Sequence, residues 1–180
     1  THKKQGREFL PCFFIIVYNT HMNFLRQYYA GLFLAGILLV VALCSFSVLT
    51  TWPRVWIDEG KDIELARGFF NSGKLDIEIA PGQFSGVASL LQSTGYPVTV
   101  PLAGVFKLFG YGFEQARAYM LLWMLTAIAI VFFLSRKFLG NFSAIFSVLL
   151  IVTFASFYDS GRAVVGEIPG FVFLLMGLYF

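Results

Sequence analysis

Charged residues are scarce in this sequence: Asp, Glu, Lys and Arg make up 13% of its 180 residues, about half the roughly 25% usual in soluble domains. Too little polar surface remains to cover a water-soluble globule, which excludes soluble-enzyme, disordered and fibrous classes. The 13 Lys and Arg stand singly or in pairs, with no basic stripe to follow a phosphate backbone. Nucleic acid is therefore excluded as a partner. Cysteine is also rare: Cys12 and Cys44 each sit inside an apolar run, where a thiol behaves as a small hydrophobe. They make neither a disulfide framework nor a metal site.

What is abundant is apolar side chain, 58% of the chain with 22 Phe, at a mean hydropathy of +0.76. A spanning helix needs about 20 apolar residues, and the order of apolar runs predicts an all-α, polytopic integral membrane protein. Spans are expected at about 29–49, 118–135 and 138–158, with a fourth at 168–180 that stops inside an apolar run. The chain is accordingly expected to be the N-terminal piece of a longer protein. Residues 1–21, whose apolar part is too short to span and holds Pro11, read as a non-native or disordered leader before a natural start at Met22; residues 22–180 read as one membrane domain.

Arg26 precedes the first span, and Arg136 and Lys137 fall between the second and third. The positive-inside rule puts these on the cytoplasmic side of a plasma membrane. The loop of about 51–115 is then extracytoplasmic, as is the short connection after the third span. Every acid except Glu8 collects on that face. No charged residue or histidine lies within the three complete runs, which argues against a coupled ion or proton carrier, since those need such groups at depth.

In the loop, KDIELARGFFNSG repeats Ile63, Ala66, Phe69 and Phe70 near helical spacing, and Gly73 supplies a stop. This predicts a short surface helix whose apolar stripe rests on lipid or on the spans. Trp52 and Trp56 would lie at headgroup level. Asp58 is expected at its N-cap, with Glu59 and Asp62 complementing the positive end of the dipole. A carboxylate held there can also accept a proton from an attacking hydroxyl or hold a metal. Further on, GYPVTVPLAGVFKLFG is apolar but too short to span, and predicts a second interfacial helix that ends before Gly112.

The second outer connection holds Asp159, Arg162 and Glu167, followed by Pro169 in the first turn of the last span. A solvated turn with a capping glutamate explains these residues; so does a site in which Glu167 faces Asp58 and the Arg162 fork holds a phosphate. Gly166-x-x-x-Gly170 invites a reading as a close helix contact.

The order of WIDEGKDIELARGFFNSGKL, GYPVTVPLAGVFKLFG, QARAYMLLWMLTAIAIVFFLSRKFLG and GRAVVGEIPGFVFLLMGLYF resembles the N-terminal part of polytopic GT-C glycosyltransferases. The nearest likeness is to the dolichyl-phosphate-mannose protein mannosyltransferase and 4-amino-arabinose lipid A transferase superfamily, over about 22–180. The resemblance implies an inverting transfer of a sugar from a polyprenyl-phosphate donor to an extracytoplasmic acceptor, whether protein, lipid or glycan. It places Asp58 and Glu59 at the active site, with Asp58 as base or metal contact. Glu167-Ile168-Pro169 matches the acid-x-proline at the head of the fourth span, and Arg162 and Asp159 fall beside it for the donor phosphate or a second acidic site. A divalent cation, Mg or Mn, held by Asp58 and Glu167 is the cofactor this implies. Such a donor lies with its tail among membrane lipid, so no glycine-rich nucleotide loop is required. A transporter or flippase of a lipid-linked substrate is the rival reading.

Overall fold

The computed structural model describes residues 9–86 and 95–180, with side chains from Tyr28 onward except that of Ser160. The expected leader lies outside the described residues at 1–8; from Phe9 its backbone runs without interruption into the first helix. Among the described residues, six helices and a two-stranded hairpin follow in the order α1 (Phe9–Ser47), α2 (Ile57–Ser72), β1 (Glu78–Ala80), β2 (Gln83–Phe84), α3 (Tyr96–Phe109), α4 (Phe113–Thr153), α5 (Ala155–Ser160) and α6 (Glu167–Tyr179).

The all-α class holds, but four spans are not what the helices amount to. Two of them, Tyr28–Ser47 and Phe113–Thr153, are long and apolar enough to cross a membrane. The second and third expected spans are merged in the 41-residue α4, and α6, with 13 residues, is shorter than a span. The break in α4 falls at Gly140 (φ 85°), not at Arg136 and Lys137 where the charges placed it. Charge marks where a membrane surface should be, while the helix itself continues until a residue able to take positive φ interrupts it.

That break reverses the chain. A straight helix would separate residues 124 and 161 by about 55 Å, yet a Cβ on Gly161 would stand 2.6 Å from Met124 Sδ. The two arms of α4, 113–139 and 141–153, therefore fold back on each other. Leu121, Met124, Ile128 and Phe132 of the first arm share a core with Ala144 and Val148 of the second, with Leu34 and Val41 of α1, and with Ile168 and Val172 of α6. Lys137 donates to the carbonyl of Tyr179, so the end of α6 lies beside the Gly140 turn. At the opposite end, Ser45 donates to the Tyr158 hydroxyl at 3.2 Å and Trp52 Nε1 donates to Asp159 at 2.8 Å. Gly161 provides the close approach in this region; a Cβ on Gly170 would meet nothing, so the Gly166-x-x-x-Gly170 pattern does not mark a contact there.

Outward faces are apolar: Leu39, Leu43 and Phe46 on α1, Leu122, Phe133, Phe142 and Leu150 on α4, and Leu174 and Leu178 on α6 are all exposed. A surface of this kind has no place in water and suits lipid.

The loop segment forms a second core. The α2 stripe of Ile63 and Ala66 packs on Val98, Leu102, Ala103 and Phe106 of α3 and on Ala116, Tyr119 and Met120 at the start of α4. Of the two supports expected for the stripe, lipid or the spans, it rests on the head of a long helix, and it packs on the other loop helix as well. Two short helices with one apolar face each satisfy one another more completely than either could at a bilayer surface. Gly73 ends α2 in the left-handed conformation (φ 72°), as its position implied.

Between α2 and α3, Asp76 ties the hairpin down. Its carboxylate accepts from the backbone of Ile77 and Gly86 and from the Ser85 hydroxyl. The Ser85 hydrogen bond, with the backbone N–H groups behind it, holds the Asp76 carboxyl below its ordinary range. A group with a lowered folded pKa supports the fold above its unfolded value of about 3.9 and loses that support as pH falls through the lower folded value. Amide exchange at Ile77 and Gly86 is therefore expected to accelerate below about pH 4, and Asp76→Asn to show the fast rate at every pH. The hairpin also lies tight on α2: a Cβ on Gly68 would stand 2.2 Å from the carbonyl oxygen of Asp76. Gly68→Ala is expected to cost roughly 1–3 kcal/mol through forced separation of helix and hairpin, read as a lower unfolding midpoint in detergent.

Candidate active site

The acidic pair of α2 splits into two unlike residues. Trp56 is the N-cap, so Asp58 lies inside the first turn and does not cap the helix as expected. Successive helical residues point about 100° apart, and this turn sits against α4. Asp58 consequently faces out, 46% exposed and ion-paired with Lys61 one turn on, while Glu59 faces in at 0% exposure.

Glu59 is met by Arg117, also 0% exposed. Arg117 Nε donates to Glu59 Oε1 at 2.8 Å and Nη2 to Oε2 at 2.9 Å, the paired geometry of guanidinium and carboxylate. The remaining donors of the fork reach the carbonyls of Leu49 (2.8 Å) and Pro53 (2.8 Å), and the Phe113 ring lies 4.3 Å from the guanidinium carbon. Glu59 Oε1 also accepts from the backbone N–H of Val164 at 3.1 Å. One buried pair thus joins the end of the first long helix, α2, the head of α4 and the connection before α6. Arg117, directly before the span expected at about 118–135, was not among the expected site residues. Phe113, one turn earlier on the same helix face, and an acid-bearing loop opposite were the available signals.

The connection of 161–166 carries the other cation. Arg162 is 0% exposed; its Nε donates to the Tyr158 carbonyl at 3.3 Å and its guanidinium carbon lies 4.4 Å from the Tyr158 ring. Nη1 and Nη2 are buried with no hydrogen-bond partner among the described residues. Burial, with a smaller contribution from Arg117, pushes the Arg162 pKa down, partly offset by Tyr158 and Asp159. Asp159 accepts from Trp52. Glu167 is exposed as the first residue of α6, with Gly166 as N-cap and Pro169 in the first turn as expected.

The Lys61 hydrogen bond holds the Asp58 carboxyl below its ordinary range; desolvation opposes it, and the Lys61 charge and a contact with Trp56 add smaller effects in the lowering direction. At neutral pH Asp58 is an ionised, water-accessible carboxylate. As for a cation, no three of His, Cys, Asp and Glu converge among the described residues. Of the two acids expected to hold one, Asp58 is ion-paired with Lys61 and Glu167 is exposed at the head of α6, and no chemistry below is routed through a cation.

The second half of the chain decides the comparison with known proteins. Residues 98–180 match the family model described as dolichyl-phosphate-mannose-protein mannosyltransferase. That family is of the GT-C superfamily, and it is what these 83 residues, a little under half of the chain, are similar to. No curated protein and no solved structure matches it. The mannosyltransferase match takes in Arg117, Asp159, Arg162 and Glu167, whereas Asp58 and Glu59 precede it. The family is membrane-integral and its general activity is glycosyl transfer. Glu59 is joined to the matched residues directly, through Arg117 and Val164.

Proposed function

We propose that this chain forms part of the active site of an inverting glycosyltransferase that passes a sugar from a polyprenyl-phosphate donor to an acceptor hydroxyl outside the cytoplasm. The observation that carries this reading is the division of labour in the acidic pair. Glu59 is consumed in a buried clamp to the matched segment, and Asp58, its neighbour, is left ionised and open at the same end of the bundle. A clamp of four elements is more than a surface cap requires, and it fixes where Asp58 stands.

In this reading α1 and α4, the two helices long and apolar enough to cross, hold the chain in the membrane. The Gly140 end, with Arg136 and Lys137, faces the cytoplasm. Asp58 accepts the proton of the acceptor hydroxyl as its oxygen attacks the anomeric carbon from the side opposite the phosphate. The bond from that carbon to the phosphate oxygen breaks, the electron pair leaves with the polyprenyl phosphate, and configuration inverts. Being ionised at neutral pH, Asp58 is in the form that a base requires.

The test is consumption of polyprenyl-phosphate sugars by membranes carrying the full-length protein, wild type against Asp58→Asn at matched expression. Donor consumption that the substitution removes supports the reading. Equal consumption by both, or none by either, contradicts it.

A further inference from the structure

Residues 52–57, between α1 and the first turn of α2, present a surface that no contact inside the protein explains. Trp52, Val55, Trp56 and Ile57 are between 50% and 78% exposed. Arg54 stands among them, also exposed, and pairs with no acid among the described residues. Asp58, the nearest acid along the chain, is ion-paired with Lys61.

This exposure is built into the fold. The carbonyls of Leu49 and Pro53 accept from Arg117 at 2.8 Å and 2.8 Å, so the buried clamp fixes the backbone on which the patch stands. Trp52 Nε1 donates to Asp159 at 2.8 Å, and Trp56 touches Asp58. With its N–H engaged by an acid of the protein, the half-exposed Trp52 ring has only carbon left to offer. A fixed backbone that holds four large apolar side chains outward keeps them ready for an apolar partner, because nothing has to be ordered when that partner arrives.

The length of α1 decides which partner that is. Its apolar stretch, Tyr28–Ser47, has 20 residues and covers about 30 Å at a rise of 1.5 Å per residue, the thickness of the hydrocarbon core. Residues just beyond it stand at headgroup level, where indole rings are favoured. The patch begins six residues after Phe46, the last large apolar residue exposed on α1, and so continues a face that already suits lipid. A single unpaired guanidinium among apolar side chains is complementary to one molecule of that layer: its parallel donors fit two phosphodiester oxygens while its neighbours take the acyl ends.

We infer that residues 52–57 are the seat of a glycerophospholipid of the adjoining leaflet, with Arg54 on its phosphodiester and Trp52, Val55, Trp56 and Ile57 sunk beside its chains. The inference does not depend on the transferase reading. Trp56 is two residues from Asp58, so the bound lipid sets the height of that carboxylate over the bilayer whatever its chemistry.

The experiment uses the full-length protein and has two parts, neither of which reads turnover. In the first, a nitroxide is attached at Val55→Cys or Ile57→Cys in a protein whose Cys12 and Cys44 are alanine, and the protein is placed in phosphatidylcholine nanodiscs. The label is expected to collide more with dissolved oxygen than with a water-soluble nickel chelate. The reverse preference would put the segment in water, and shielding from both would put it beneath another part of the protein; either overturns the inference. In the second, the protein in non-ionic detergent is titrated with dioctanoyl phosphatidylglycerol, and with dioctanoylglycerol as the probe that lacks the phosphate. Wild type is expected to bind the phospholipid about 5-fold more tightly than Arg54→Gln, the contribution of one cation near a lipid surface. Dioctanoylglycerol is expected to bind both proteins alike. Arg54 is exposed and unpaired, so the substitution leaves the fold intact. Equal phospholipid affinity in the two proteins, or no binding by wild type, sinks the proposal.

Discussion

Arg117→Ala is expected to unfold the loop end of the protein, at a cost of about 3–5 kcal/mol, the usual penalty for removing one partner of a buried pair. The reason lies less in the lost attraction than in what remains. Glu59 stays buried with its charge, keeping only the Val164 N–H, and the carbonyls of Leu49 and Pro53 lose their donor. The Phe113 ring loses the cation beside it. Arg117→Lys is expected to recover little, because an ammonium is a point donor and cannot serve a carboxylate and two carbonyls from one plane. The double variant Arg117→Met with Glu59→Gln is expected to be more stable than Arg117→Ala alone, since no unpaired charge remains. Chemical denaturation in detergent, followed by tryptophan fluorescence from Trp52 and Trp56, measures all three. A loss under about 1 kcal/mol for Arg117→Ala would show that the pair is solvated and is no clamp.

Asp58→Asn is expected to behave in the opposite way, with the fold intact and donor consumption lowered by about 10²–10⁴-fold, the range for removal of a general base. The ion pair with Lys61 is exposed on both sides and contributes little to stability. Asparagine keeps the shape and the hydrogen-bonding capacity but cannot take a proton. Glu59→Gln provides the contrast: it leaves Arg117 buried without its counterion and is expected to lower stability first and activity with it. If instead Asp58→Asn unfolds the protein and Glu59→Gln only slows it, the roles assigned to the two acids are reversed. Because Lys61 lowers the Asp58 pKa, activity is expected to persist on the acidic side to below the ordinary carboxylate range, and Lys61→Met to move that acid limb upward.

Much of this architecture can be read in the sequence, and the failures have a common physical origin. The apolar runs, the helix ending at Gly73, the second loop helix and the break at Gly112 all follow from local signals that act over a single turn. The hairpin at Asp76 was equally local, with Ile77 and Ile79 alternating before Pro81-Gly82, but is too short to stand out beside helices. The pairing of Glu59 with Arg117 is of another kind. The two are 58 residues apart, and periodicity tells which face of a helix is apolar without telling which charge a distant helix will neutralise. Asp58 and Glu59 look alike in sequence; only the packing of α2 on α4 separates an open acid from a buried one. Likewise, Arg136 and Lys137 indicated a turn, and the turn came at Gly140, because the membrane surface and the end of a helix are set by different forces.

The bond between Glu59 and Val164 also constrains how the protein is made. A chain emerging from the ribosome exposes Glu59 long before Arg117, and Val164 follows 105 residues after Glu59. Until α4 has formed and turned back at Gly140, the carboxylate has neither partner and must stay in water, so α2 cannot yet settle in its final position. Assembly of the outer face is thereby made the last event of biosynthesis for this segment. A nascent chain halted before residue 164 should still present α2 to protease or to a water-soluble carboxyl reagent, and a chain extended past it should not.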